Sequence, residues 1–177
     1  VTISQSANMK QTVDRIMFAK TLNSGQICLA PDYIMVPEDQ KEAFSDLAME
    51  SIRTMFPTLK DNQDYTSIIN ERHYDRLKSY LTDAKKKGAE IVEINPADEN
   101  FAQQEHFKIP PTLVMNPSDN MKLMQEEIFG PILPIKTYQT INEAIDYVNA
   151  HDRPLGLYYF GPDKNEENEV ISHTISG

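Results

Sequence analysis

Short apolar runs alternate along this chain with longer segments whose apolar residues recur every three or four positions. That alternation limits the folds open to it. Tyr33-Ile34-Met35-Val36, Ile91-Val92-Glu93-Ile94, Thr112 to Met115, Ile132 to Lys136 and Leu157 to Phe160 read as strands. Between them lie helical patterns. Met9 to Lys20 places Val13, Ile16 and Met17 at helical spacing, with Asn8 or Ser6 as cap. Glu38 to Phe56 gathers Phe44, Leu47, Ala48, Ile52 and Met55 on one face and stops at Pro57. Asn70 to Lys87 turns Tyr74, Leu77 and Leu81 inward; Gly88 follows where a left-handed cap belongs, and Lys85-Lys86-Lys87 complements the negative end of the helix dipole. Ile141 to Ala150 and Lys164 to Ser172 complete the set, and residues 95 to 111 read as a surface loop. Strands and helices at these spacings form βαβ crossovers. The expected fold is α/β, a three-layer αβα arrangement around a largely parallel sheet.

A chain of 177 residues suits one domain, and folding it should bury roughly 70% of the surface exposed when unfolded. Seventeen basic against 27 acidic residues give a net charge of −10, a balance that argues against nucleic-acid or polybasic membrane surfaces. No run is long and apolar enough for a membrane helix, and no segment reads as a signal peptide. The chain starts at Val1 and stops at Ser176-Gly177, as a segment excised from a longer polypeptide would. The single cysteine, Cys28, excludes an internal disulfide and a multi-cysteine zinc site, and an acidic single-cysteine chain fits a cytoplasmic setting.

Cys28 lies in Asn23-Ser24-Gly25-Gln26-Ile27-Cys28-Leu29-Ala30-Pro31. A lone cysteine is ordinarily a small buried hydrophobe. Here Gly25 frees the backbone to turn and Pro31 fixes the exit. A thiol on such a turn can present its sulfur and its own N–H in one direction, which suits attack on a carbonyl with stabilisation of the resulting oxyanion. A free thiol is only a few per cent thiolate at neutral pH and needs activation. His73, His106, His151 and His173 are scattered in polar contexts. They show no metal-ligand spacing, so no metal is expected, and a Cys-His pair would have to form across the fold. In Gln125-Glu126-Glu127-Ile128-Phe129-Gly130-Pro131, the plain reading is an acidic turn entering a strand with Phe129 in the core. The functional reading has a carboxylate and a ring projecting from one extended piece, the first for vicinal hydroxyls such as a ribose and the second for a flat heterocycle.

Together and in this order, the two stretches resemble the aldehyde dehydrogenase superfamily over nearly the whole chain. Asn23-Ser24-Gly25-Gln26-Ile27-Cys28 is similar to its nucleophile motif and Glu126-Glu127-Ile128-Phe129-Gly130-Pro131 to its cofactor-contacting motif. Cys28-Leu29-Ala30-Pro31-Asp32-Tyr33 and Arg153-Pro154-Leu155-Gly156-Leu157-Tyr158-Tyr159-Phe160 resemble the class 3 branch, which usually carries Ala where Gly156 stands. The resemblance implies Cys28 as the catalytic nucleophile, Glu127 on the nicotinamide-side ribose and Phe129 beside the nicotinamide. It implies NAD or NADP as cofactor, a small-molecule aldehyde as partner and a homo-oligomeric whole enzyme. The family's glutamate base, nucleotide-binding domain and terminal oligomerisation tail have no counterpart here, so residues 1–177 are expected to be the nucleophile-bearing catalytic domain alone. Two other classes stay open at this stage. A cysteine hydrolase or acyltransferase would need Cys28 beside one of the four histidines. A non-catalytic α/β module would bury Cys28 with no pocket next to it.

Overall fold

A computed structural model describes residues 1–177. Strands β1 (Thr2–Ile3), β2 (Ile34–Pro37), β3 (Glu90–Glu93), β4 (Thr112–Met115), β5 (Ile132–Tyr138) and β6 (Tyr159–Phe160) form one sheet in the order β3-β4-β5-β2-β1-β6. All neighbours are parallel except the edge pair β3 and β4. The helices are α1 (Met9–Thr21), α2 (Lys41–Met55), α3 (Glu71–Lys86), the short α4 (Lys122–Gln125), α5 (Ile141–Asn149) and α6 (Lys164–His173). The α/β fold with a mainly parallel sheet is therefore as expected.

The period-two geometry of strands explains the layers. Ile34 and Val36 of β2, Leu113 and Met115 of β4, and Leu133 and Ile135 of β5 face one side. They pack there with Val13, Ile16 and Met17 of α1 and Phe44, Ala48 and Ile52 of α2. The residues between them face the other side: Val114 and Ile132 meet Leu77, Tyr80 and Ala84 of α3, while Met35 and Tyr138 meet Ala144 of α5. Buried on both faces, β2 is apolar throughout, as a central parallel strand must be.

Several boundaries differ from expectation. Strand β1 has two residues, too few to show a pattern. The helix expected from Glu38 opens with a 3-10 turn over Glu38–Gln40 before α2 begins. Of the expected Leu157–Phe160 strand, Tyr159–Phe160 form β6; Tyr158 adds only its carbonyl, which accepts from the Thr2 N–H at 2.8 Å. The loop at 95 to 111 dives inward at its end. Lys108 and Ile109 are buried there, and the Lys108 ammonium donates to the carbonyls of Leu59 (3.2 Å) and Asn62 (2.5 Å).

Candidate active site

The segments that enter β2, β5 and β6 carry the chemistry-bearing residues, so the candidate site lies at the amino ends of the parallel strands. A cleft of about 380 Å³ opens there. Cys28 and Glu127 both line it, with Leu29, Asp32, Tyr33, Tyr147, His151 and Tyr158 among its walls. Phe129 is not in the lining; it stands 37% exposed at the end of the same segment as Glu127.

The turn bearing Cys28 is built on unusual backbone. Asn23, Ser24 and Gly25 are consecutively left-handed, with φ of 51°, 52° and 72°. Such geometry costs non-glycine residues about 1 kcal/mol or more each, and local bonds hold it. The Ser24 hydroxyl donates to the Thr66 carbonyl. The Gln26 amide donates to Asn23 O (2.9 Å) and Ser67 O (3.1 Å), and its Oε1 accepts from the Ile69 N–H (2.9 Å). Ala30 N–H then donates to Ile27 O at 3.0 Å, closing the turn that exposes Cys28. The Cys28 N–H donates to no protein acceptor and is free for an incoming oxygen.

The Glu126–Phe129 segment is held from three directions. The Arg76 guanidinium on α3 donates to the carbonyls of Glu127 (3.2 Å) and Ile128 (2.7 Å). The Ile128 N–H donates to Asp32 Oδ1 at 3.0 Å, which ties the segment to the exit of the Cys28 turn. Gly25 and Gly130 meet backbone to backbone; a Cβ on Gly25 would collide with the Gly130 carbonyl. The two glutamates differ. Glu126 accepts from the Tyr80 hydroxyl at 2.7 Å, whereas the exposed Glu127 carboxylate has no partner in the chain. The plain reading of Phe129 as a core residue is corrected here. Its φ is +49°, and this reversal buries Ile128 completely and turns the ring outward.

The histidines are not assembled with Cys28. None hydrogen-bonds to the thiol, and only His151 lines the cleft, with its Nδ1 engaged by the Tyr147 carbonyl at 2.7 Å. His73 Nδ1 lies against Arg76 and His173 Nδ1 against the Glu169 carbonyl. Exposure of Cys28 beside a cleft also removes the basis for a buried, non-catalytic cysteine.

Three residues that organise the site escaped the sequence reading. Asp32 and Arg76 act through backbone groups, for which no spacing gives a signal. Lys20 did leave one: it continues the Val13, Ile16, Met17 series, so it belongs to the buried face of α1. It is 1% exposed, and its ammonium donates to Pro31 O at 2.8 Å. Burial pushes its pKa down to about 8, against the opposing field of Asp32.

The whole chain, residues 1–177, matches the model of the aldehyde dehydrogenase family. The chain belongs to that family. It is 56% identical over 177 residues to a "Probable coniferyl aldehyde dehydrogenase" of Caulobacter vibrioides, covering all of this chain and 36% of that relative. The substrate-bound AldH of Staphylococcus aureus superposes with a TM-score of 0.88 at 36% identity, over 98% of this chain and 36% of that one. An aldehyde dehydrogenase C mutant from Pseudomonas syringae, complexed with NAD+ and octanal, gives a TM-score of 0.86 at 26% identity, over 99% and 36% of the two chains. The chain thus spans about a third of the length of the aldehyde dehydrogenases it matches. No helix is long and apolar enough to cross a membrane.

Proposed function

We propose that this chain is the nucleophile-bearing part of an NAD(P)-dependent enzyme that oxidises an aldehyde, of the aromatic coniferyl type, to a carboxylic acid. The supporting observation is that Cys28 and the unpartnered Glu127 line one cleft. The Cys28 thiolate adds to the aldehyde carbon and forms a thiohemiacetal, whose oxyanion is met by the free Cys28 N–H. As the oxyanion collapses to a carbonyl, the one hydrogen on that carbon leaves as hydride, and a thioester remains on Cys28. Water then hydrolyses it, releasing the acid and restoring the thiol. When bound, NAD(P)+ accepts the hydride. The residues present fit one end of such a cofactor: Glu127 offers an exposed carboxylate to ribose hydroxyls, and Phe129 an exposed ring to a nicotinamide. The base that activates the water and the adenosine-binding surface belong to parts of the family fold outside residues 1–177. By this reading the isolated chain folds without turning over. The same reading carries a small-molecule aldehyde partner, a cytoplasmic setting and a homo-oligomeric whole enzyme, with no nucleic acid.

The test separates adduct formation from turnover. An aromatic aldehyde such as cinnamaldehyde should protect Cys28 of the purified chain from alkylation, with no NADH formed. Failure of protection would remove Cys28 as the nucleophile, and turnover at a rate near that of a whole aldehyde dehydrogenase would refute the incomplete-site reading.

A further inference from the structure

Lys20 is a cation where the fold has no packing need for one. Its neighbours on the buried face of α1 are Val13, Ile16 and Met17, and like them it is withdrawn from water. Removing an ammonium from water is costly unless it is paired, and an apolar side chain of similar length would fill the same space without that cost. No carboxylate comes within ion-pair distance of it. The amine spends its one hydrogen bond on the Pro31 carbonyl, three residues beyond the nucleophile. The next residue, Asp32, is the one charged side chain whose field reaches the amine, and its carboxylate holds the Ile128 N–H. A continuous path therefore runs from the amine through Pro31 and Asp32 to the segment that presents Glu127 and Phe129.

We propose that Lys20 is a positioning residue for this site. Its buried ammonium fixes the Pro31 carbonyl beneath the nucleophile turn and, through the adjoining Asp32 carboxylate, keeps that turn in register with the Glu127–Phe129 segment. The purpose assigned to the register rests on Cys28 being the nucleophile, but the coupling itself does not.

Two measurements on the 177-residue chain read the two ends of the path without any aldehyde chemistry. Alkylation of Cys28, the only thiol, by iodoacetamide is followed by intact mass and divided by the thiolate fraction from ultraviolet absorbance. Exchange of the Ile128 amide is followed by NMR. At about pH 7, protection of the Ile128 amide should be about fivefold lower in Lys20→Met than in the wild-type chain. The alkylation rate per thiolate should be about threefold higher in the variant as the turn loosens. Near-ultraviolet circular dichroism checks that the variant is folded. A folded Lys20→Met variant that keeps wild-type protection and alkylation would overturn the proposal. Should that variant not fold, Asp32→Asn, which breaks the path at its other link, decides: unchanged protection and alkylation in it overturn the proposal. Failure of aldehyde protection with these differences intact would sink the reading of Cys28 and leave the coupling standing.

Discussion

The two ends of the parallel strands are built on opposite terms. At the carboxyl ends, polar side chains pair with one another, the buried Gln40 Oε1 excepted. Gln5 donates to both Asp39 carboxylate oxygens (3.2 and 3.0 Å), Gln139 to Glu38 (3.0 Å) and the Tyr159 hydroxyl to Glu166 (2.8 Å). At the amino ends, Cys28, Glu127 and Phe129 project without partners from loops that include left-handed residues. Open α/β sheets usually bind ligands at the carboxyl ends of their strands. Here those ends carry polar pairs around an open depression lined by Gln5, Asp39 and Glu166, and the candidate site residues stand on the segments that lead into the strands. The position of a site therefore follows from where the backbone is held in costly shapes with polar groups left free, and sheet direction alone does not assign it.

If that contrast is right, the heaviest losses of stability will come from the amino-end loops. Gly25→Ala combines a left-handed φ with a collision against the Gly130 carbonyl, and should cost about 4 kcal/mol in urea denaturation. Gly88→Ala has the same backbone problem but open space around it, and should cost only about 1 kcal/mol. Equal losses would break the comparison.

A second effect is set by pH. The Lys20 pKa is about 8 in the fold against an ordinary 10.5. Between those values the unfolded chain binds a proton that the folded chain has released, so stability rises with pH. The expected gain is about 2 kcal/mol from pH 8 to pH 10, and Lys108, also lowered by burial, acts in the same direction. Above about pH 10 the sign reverses, because burial raises the pKa of Tyr65, Tyr138 and Tyr147 and the folded chain keeps protons that the unfolded chain has lost. Denaturation midpoints across this range would show the rise, and Lys20→Met should remove most of it.

Smaller effects sharpen the contrast further. Arg76→Met strips two donors from the carbonyls of Glu127 and Ile128, and should cost about 1.5 kcal/mol. Gln139→Ala, at the carboxyl ends, breaks an exposed pair and should cost under about 0.5 kcal/mol. Smallest of all, Glu127→Gln should leave the melting temperature unchanged, since its carboxylate touches nothing in the chain. Glu126→Gln should lower it slightly by weakening the Tyr80 contact. A Glu127 variant more damaging than the Glu126 variant would show that the former is structural.

Much of this was written in periodicity. Phe44, Ala48 and Ile52 mark α2 because burial on one face demands that spacing; glycines and prolines announce the turns around Cys28 and Glu127, and the family resemblance supplied the roles expected of the two residues. What stayed hidden depends on the third dimension. Two residues of β1 cannot display a period, and the antiparallel entry of β3 follows from its partner, not from its own composition. Phe129 looks like a core residue until its neighbour Ile128 takes that place. Asp32 and Arg76 serve main-chain atoms, which every residue has and no motif reports.

The meeting of Gly25 with Gly130 has a consequence for how such an enzyme can diversify. A side chain on Gly25 would strike the Gly130 peptide itself, which offers nothing to trim, so drift at Gly25 has no small step to take; at Gly130 the obstruction is the Leu77 side chain. New preferences must arise around this joint, in walls such as Leu29 and Leu155 that can change size without parting the two glycines.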